Sequence, residues 1–137
     1  MGSSGVRSTP GADGPYWRAL SEGRLELPVC QGCGRWHWPA VWRCGDCGSW
    51  DHDWRPVAMR GTLFTWTRTW HPFAGTEQIG VPFVPVVVTL DAAPVRLTGL
   101  LVETDADVKI GLAVEGVVST TRIGDEDLPA IRWSLRT

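Results

Sequence analysis

The sequence is short of basic charge and of long apolar runs. Its 137 residues include a single lysine and carry a formal net charge of −2. A protein that grips nucleic-acid phosphates needs a basic surplus, so the composition argues against that class. The longest apolar candidate, Val81 to Leu90, is interrupted by two prolines and is too short to span a bilayer. We therefore expect neither a nucleic acid nor a membrane as partner.

Several enzyme motifs are also missing. The chain has no G-x-S-x-G, no Walker A motif and no Rossmann glycine pattern. Residues 1–14 hold no apolar segment typical of a secretory signal, and we interpret them as a flexible leader. This predicts a cytoplasmic protein, a compartment in which cysteines are more often metal ligands than disulfides. These absences leave open whether the chain is an enzyme.

The cysteines form a regular motif. The two C-x-x-C-G units are Cys30 to Gly34 and Cys44 to Gly48, with ten residues between Cys33 and Cys44. Each unit is typical of a zinc knuckle, in which both thiolates face one ion and the glycine allows a tight turn. Two knuckles supply a closed set of four thiolates, which fits a structural and not a catalytic ion. The predicted ligands are Cys30, Cys33, Cys44 and Cys47.

We expect one zinc ion per chain, which would fold a segment that lacks an aliphatic core of its own. Iron is the less favoured ion, although a rubredoxin-type iron site uses the same four ligands. Two disulfides or free thiols are the alternative interpretation. Once the ion is bound, no cysteine is left to act as a nucleophile.

The remaining pattern predicts a mainly β fold with four parts. These are the leader (1–14), an N-terminal helix and its exit (15–29), the zinc ribbon (30–56) and a barrel (57–137). Asp13 and Pro15 are typical of a helix start, and Gly23 of a helix end. Five strands over the last part of the chain fit a five-stranded OB-fold barrel. They are predicted at Gly61–Trp70, Phe83–Leu90, Val95–Val102, Ala113–Arg122 and Ala130–Arg136.

Tryptophan is unusually frequent, with nine residues beside three phenylalanines and one tyrosine. Three of the nine lie between the knuckles, where a ribbon offers little interior, and a fourth lies on the helix. Exposed tryptophans on a small domain are typical of protein interfaces. We therefore predict a partner interface, the alternative being that these rings pack between ribbon and barrel. The candidate residues are Trp17, Trp36, Trp38 and Trp42.

The loop after the first barrel strand contains a second candidate site. In OB-folds this loop contacts ligands. Trp70, His71 and Phe73 are the candidates to line a ligand passage there, the alternative being an ordinary loop.

The order of these parts resembles a known family. Its marks here are the two knuckles with Trp38-Pro39 between them, the strand Gly61–Trp66, and the turn Val108–Gly111. Across Pro15 to Arg136 the chain resembles the zinc-ribbon OB-fold family described as acyl-CoA-associated and long catalogued as a domain of unknown function. The resemblance implies a rubredoxin-like ribbon followed by an OB-fold.

The resemblance also implies a function. Family members are non-catalytic accessory subunits that stabilise thiolase-like enzymes, including thiolases and the retro-aldolases of steroid side-chain degradation. Catalytic residues lie on the partner, in a hetero-oligomer, and the accessory subunit helps to shape a passage for the acyl-CoA substrate. A single lysine argues against a strong CoA phosphate site on this chain alone.

Two other functions stay open at this stage. One is a free-standing protein that binds acyl-CoA or another small ligand. The other is a module for single-stranded nucleic acid, since Phe64, Trp66 and Trp70 could stack bases. The charge opposes the latter, because residues 61–137 carry six basic against nine acidic side chains.

Overall fold

The computed structural model describes residues 11–136 and shows one short helix followed by seven strands. Residues 1–10 of the predicted leader lie outside the described residues. The mainly β fold class is confirmed, with a closed barrel after the cysteine-containing segment. The elements are α1 (Gly14–Ser21), β1 (Glu26–Cys30), β2 (His52–Pro56), β3 (Arg60–Trp66), β4 (Pro85–Leu90), β5 (Arg96–Leu101), β6 (Ala113–Ile123) and β7 (Glu126–Leu135).

Helix α1 forms where the sequence predicts it. Proline occupies its first turn, and Gly23, with φ 84°, follows its C-cap residue. Asp13 does not cap the backbone; its carboxylate accepts a hydrogen bond from the Trp17 indole N–H at 2.9 Å. The buried face of the helix is formed by Tyr16, Ala19 and Leu20.

Strands β1 and β2 pair antiparallel and carry the cysteine segment as a long excursion between them. The sequence pattern does not predict these strands. β1 is buried at four of its five positions, so it shows no alternation of apolar and polar residues. β2 has only five residues, of which two are half-buried and three are exposed. A backbone hydrogen bond from Val57 to Leu25 extends the pairing toward the barrel.

The barrel closes in the order β3-β4-β5-β7-β6. The longest ladder is the β6–β7 hairpin, with ten residue pairs. The shortest is a parallel contact in which Leu100 and Leu101 of β5 oppose Arg132 and Trp133 of β7. A parallel contact between the third and fifth barrel strands is what closes an OB-type topology.

The first barrel strand is shorter than predicted. A bulge between Leu63 and Thr65 breaks its pairing with β4 and also its alternation. Leu63 is buried, but Phe64 and Thr65 are both exposed, and the strand ends at Trp66. Further along, a single bridge between Thr69 and Phe83 holds the base of the following loop.

The barrel core is centred on Trp133, which is fully buried together with several valines and leucines. The same hydrophobic cluster includes Leu25, just before β1, and Leu27, within β1. It also includes Tyr16 and Leu20 of α1. Helix, ribbon base and barrel therefore share one core. Within residues 11–136, no helix is long and apolar enough to cross a membrane.

Candidate functional site

The two cysteine units have the same backbone geometry. In each unit the glycine after the second cysteine adopts a left-handed conformation, with φ 80° at Gly34 and 81° at Gly48. Each of these glycines donates its N–H to the carbonyl of the first cysteine of its unit, at 2.8 and 2.9 Å. The first cysteines, Cys30 and Cys44, are buried, and the second, Cys33 and Cys47, are exposed.

The four sulfurs converge on one point. The Sγ atoms of Cys30 and Cys47 are 3.4 Å apart, and those of Cys33 and Cys44 are 3.7 Å apart. All four lie within 4.8 Å of one another, and none forms a disulfide. A Zn–S distance of about 2.3 Å places the corners of a tetrahedron about 3.8 Å apart. The spacing and donor chemistry therefore fit a tetrahedral metal site, with zinc as the ion that such ribbons hold.

Backbone amides surround the thiols and favour their charged form. Desolvation raises the pKa of Cys30, but N–H groups of Cys33 and Gly32 and the neighbouring thiols outweigh it and bring the pKa to about 6. The N–H groups of Cys47 and Asp46 bring the pKa of Cys44 to about 7.

The pKa of the Cys47 thiol moves in the opposite direction to those of Cys30 and Cys44. The Ser49 N–H lowers the pKa of Cys47, but its contacts with the neighbouring thiols, that of Cys30 first, favour the protonated form and raise the pKa to about 12. Four adjacent sulfurs cannot all carry charge without a cation among them.

Two histidines lie beside the cysteine cluster, which the sequence does not indicate. The rings of His37 and His52 are 5.3 Å apart in an edge contact, and the Nε2 atom of each is buried without a hydrogen-bond partner in the described chain. His37 also helps to lower the pKa of Cys44. The acidic neighbours of His52 suggest a solvated loop, but this residue is half-buried at the start of β2, because it pairs with Cys30. An ion pair between Arg35 and Asp46, at 2.6 Å, joins the two knuckles at the surface.

The tryptophans predicted at a partner interface divide into two groups. Trp17, Trp36 and Trp38 are half-buried and pack against the shared core. Trp38 contacts Tyr16, with ring centroids 4.3 Å apart. Trp42 is different, since 59% of its surface is exposed. The interface prediction therefore rests most strongly on Trp42.

One exposed ring in the ribbon is not among the predicted interface residues. Trp50 is 67% exposed and lies two residues before β2. The sequence does not single out Trp50, because next to the acidic Asp51 it is indistinguishable from an ordinary loop residue. Together with Val41 and Trp42 it gives the ribbon three exposed large apolar side chains, which we name the ribbon aromatic surface.

The candidate passage residues lie on the loop between β3 and β4. Trp70, His71 and Phe73 are all exposed, and the rings of His71 and Phe73 are 4.4 Å apart in an edge contact. The loop is tied to the β6–β7 turn by a hydrogen bond from Gly124 N to Gly75 O, at 2.9 Å. The structure thus places these three residues at the surface, on the loop that contacts the far end of the β6–β7 hairpin.

Fold and cysteine geometry together define a zinc-ribbon OB-fold protein. Two family models match in succession: "ChsH2, rubredoxin-like zinc ribbon domain" over residues 17–53 and "ChsH2, C-terminal OB-fold domain" over residues 54–119. A "DUF35 domain-containing scaffold protein" of Pyrococcus furiosus is 32% identical over 113 residues, which is 82% of this chain and 82% of the relative. The chain belongs to the DUF35 family of ChsH2-type proteins.

Two solved structures share the fold. The "Ltp2-ChsH2(DUF35) aldolase" superposes with a TM-score of 0.79 at 23% identity, covering 94% of this chain and 98% of the other. A DUF35 protein of unknown function from Sulfolobus solfataricus superposes with a TM-score of 0.60 at 14% identity, covering 93% of this chain and 87% of the other. Both similarities extend across ribbon and barrel, so the two-part architecture is a property of the group.

Proposed function

We propose that this protein is a non-catalytic accessory subunit of a thiolase-like enzyme that acts on acyl-CoA. The observation that carries the proposal is the match along most of the chain to a relative named as a scaffold protein. A fold neighbour is named for a ChsH2(DUF35) chain together with Ltp2 in an aldolase, which supports the same type of assembly. A retro-aldolase of steroid side chains and a thiolase are the two partner types that fit.

The described residues support a role without chemistry of their own. His37 and His52 contact each other, and His71 contacts Phe73. The four cysteines face one another, so none is available as a nucleophile. The ion held there, which we take to be one zinc per chain, would be structural because four thiolates leave no open position.

The ribbon aromatic surface is the proposed docking site for the enzyme subunit. An indole that is more than half exposed leaves a large apolar area in water, and burying it against a partner recovers that cost. The proposed acyl-CoA passage lies near Trp70, His71 and Phe73, with the partner supplying the catalytic residues. The ribbon aromatic surface would serve assembly with the partner, and the passage would serve turnover of the acyl-CoA. The two surfaces can therefore be tested separately.

Co-expression with the thiolase-like enzyme encoded nearest to this gene tests the proposal. We expect the two chains to elute together in size-exclusion chromatography and the enzyme to be less stable alone. Separate elution at concentrations well above micromolar would contradict an accessory role. In that case direct binding of acyl-CoA to this chain would favour the free-standing binder.

A further inference from the structure

The barrel carries a cleft that the proposed function does not use. It lies between the β3–β4 loop, strand β5 and the β6–β7 hairpin, and has a volume of about 440 Å³. This is within the size range of small-molecule sites. Its lining combines apolar and polar side chains. The apolar ones are Ile79, Phe83, Leu100, Leu101 and Val102, and the polar ones are Gln78, Thr104, Thr120, Thr121, Arg122 and Arg132.

The two arginines in the lining differ in their partners. Arg122 forms an ion pair with Asp127 at 3.0 Å, so its charge is already balanced. Arg132 donates a hydrogen bond to the Thr121 hydroxyl, and no carboxylate in residues 11–136 pairs with it. Its side chain is partly buried, and this desolvation lowers the pKa of the guanidinium. A partly desolvated cation without a counter-charge is stabilised by any anion that enters the cleft.

A second, smaller cleft continues from the first. It has a volume of about 300 Å³ and shares Ile79, Leu100, Thr121 and Arg132 with it. Beyond Arg132 it is lined mainly by apolar side chains, among them Trp17, Leu20 and Leu128. Arg132 therefore lies at the junction of two spaces that could each hold an apolar body.

We propose that this cleft binds a small amphipathic monoanion, a carboxylate attached to an aliphatic or alicyclic body. The planar guanidinium retains donors that Thr121 does not use, and these suit a carboxylate. A polyanion fits poorly, because only one charge in the cleft lacks a counter-ion and residues 61–137 carry a net charge of −3. The proposal does not depend on a partner enzyme.

Calorimetric titration of the full-length, metal-loaded chain with octanoate and with octanol tests the charge requirement. The two probes have the same carbon chain and differ only in the head group. We expect saturable binding of octanoate at one site per chain, with octanol at least about tenfold weaker. Equal affinity for both probes, or no binding of octanoate, would overturn the proposal.

Variants assign the site within the chain. Arg132→Gln should weaken octanoate binding about tenfold or more and leave octanol unchanged, and Arg132→Lys should restore part of the loss. Arg55→Gln is the matched control, since it removes an exposed arginine of β2 that pairs with Asp53. An Arg132→Gln protein that is folded by circular dichroism and binds octanoate normally would also refute the site. The assay uses this chain alone, so its failure would leave the assembly proposal untouched.

Discussion

Trp133 shows how a single large side chain fixes the residues around it. A Cβ atom built on Gly99 would lie 2.7 Å from the Trp133 ring and 2.8 Å from the Ile131 carbonyl oxygen. A Cβ on Gly116 would lie 2.6 Å from Ile131 and 3.1 Å from the same ring. The two glycines are therefore required by the close approach of Trp133 and Ile131 and not by their backbone angles.

We expect Gly99→Ala to destabilise the protein by about 1–3 kcal/mol, because the added methyl group overpacks the core. The Ile131 carbonyl belongs to the backbone and cannot move aside as a flexible side chain can. The measurement is the denaturant concentration at the unfolding midpoint. The comparison is valid when the dependence of the unfolding free energy on denaturant concentration is the same for both variants. Gly45→Ala is the control, since a Cβ atom added at Gly45 would have nothing within 4 Å. Equal midpoints for the two variants would show that the barrel relaxes around the methyl group.

Tyr16 is the only tyrosine and is buried on the inner face of α1. Burial disfavours its phenolate and raises its pKa from 10.0 to about 12. Because the folded state holds this proton more tightly than the unfolded state, the residue supports folding fully below pH 10. That support is lost as the pH rises through about 12, and amounts to about 2–3 kcal/mol.

The phenolate absorbance of a single tyrosine makes this testable in a protein with many tryptophans. We expect half-ionisation near pH 12 in the native protein and near 10 in denaturant. Tyr16→Phe should abolish the signal. Ionisation at the usual value in the folded protein would mean that α1 does not cover the ring at alkaline pH.

Among the elements, the two knuckles depend least on the packing of buried side chains. They lie between β1 and β2, and apart from Cys30 and Cys44 the residues from 30 to 48 contribute no buried hydrophobic side chain. Their backbone turns are held by glycine geometry and by the convergence of four sulfurs. A metal bound by the four sulfurs would take the place of a core for most of this segment, to which Trp36 and Trp38 add only partly buried rings.

We expect chelation or Cys33→Ser to make the segment between β1 and β2 sensitive to protease, because the turns then lose their common anchor. Limited proteolysis with mass spectrometry should locate the first cuts at residues 31–51, and elemental analysis should find close to one zinc per untreated chain. Arg35→Gln is the control, since it breaks only the exposed ion pair with Asp46. Resistance of a metal-free chain to protease would contradict a structural metal.

The sequence predicts these elements unevenly, for physical reasons. Spacing alone locates the sulfurs, because a C-x-x-C unit constrains both thiols through four residues of backbone. The strands β4 to β7 are predicted within a few residues, because their β-branched runs are bounded by turn residues. β1 and β2 are missed. β1 is buried on both faces and shows no period, and β2 is too short for its alternation to stand out. The bulge in β3 is also invisible, because it depends on pairing with β4.

At the scale of the whole molecule, the ribbon and the barrel are not independent. Leu25 and Leu27 belong to the same hydrophobic cluster as Leu97 and Trp133. The cleft at Arg132 likewise depends on a contact between β5 and β7, which are distant in the sequence. Neither feature could be predicted from local patterns, because each arises only when the chain closes on itself.

The assembly proposal belongs to this scale. We expect Trp42→Ala to weaken the binding free energy between the two chains by about 2 kcal/mol or more, as for a buried aromatic at the centre of an interface. The loss of co-elution in size-exclusion chromatography measures this effect. Ile110→Ala is the matched control, since Ile110 is 68% exposed and lies on the barrel between β5 and β6. Equal behaviour of the two variants would remove the ribbon aromatic surface from the interface.

The second proposed surface gives a different readout. Trp70→Ala should leave co-elution intact and lower kcat/KM of the assembled enzyme for acyl-CoA, because the ring is proposed to line the passage and not the docking site. Steady-state kinetics of the complex measure this. Unchanged kinetics would exclude Trp70 from the passage.

The long β6–β7 hairpin has a kinetic consequence. Its ten residue pairs run from Ile123 with Glu126, three residues apart, to Val114 with Leu135, 21 residues apart, so the ladder can grow outward from the turn at Gly124. The β3–β6 and β5–β7 contacts close much longer loops and carry a larger entropy cost before they gain any packing. We therefore expect the hairpin to be the folding nucleus, with strand β3 and the parallel contact added afterwards. Substitutions in its ladder should slow refolding, while substitutions in β3 should mainly accelerate unfolding.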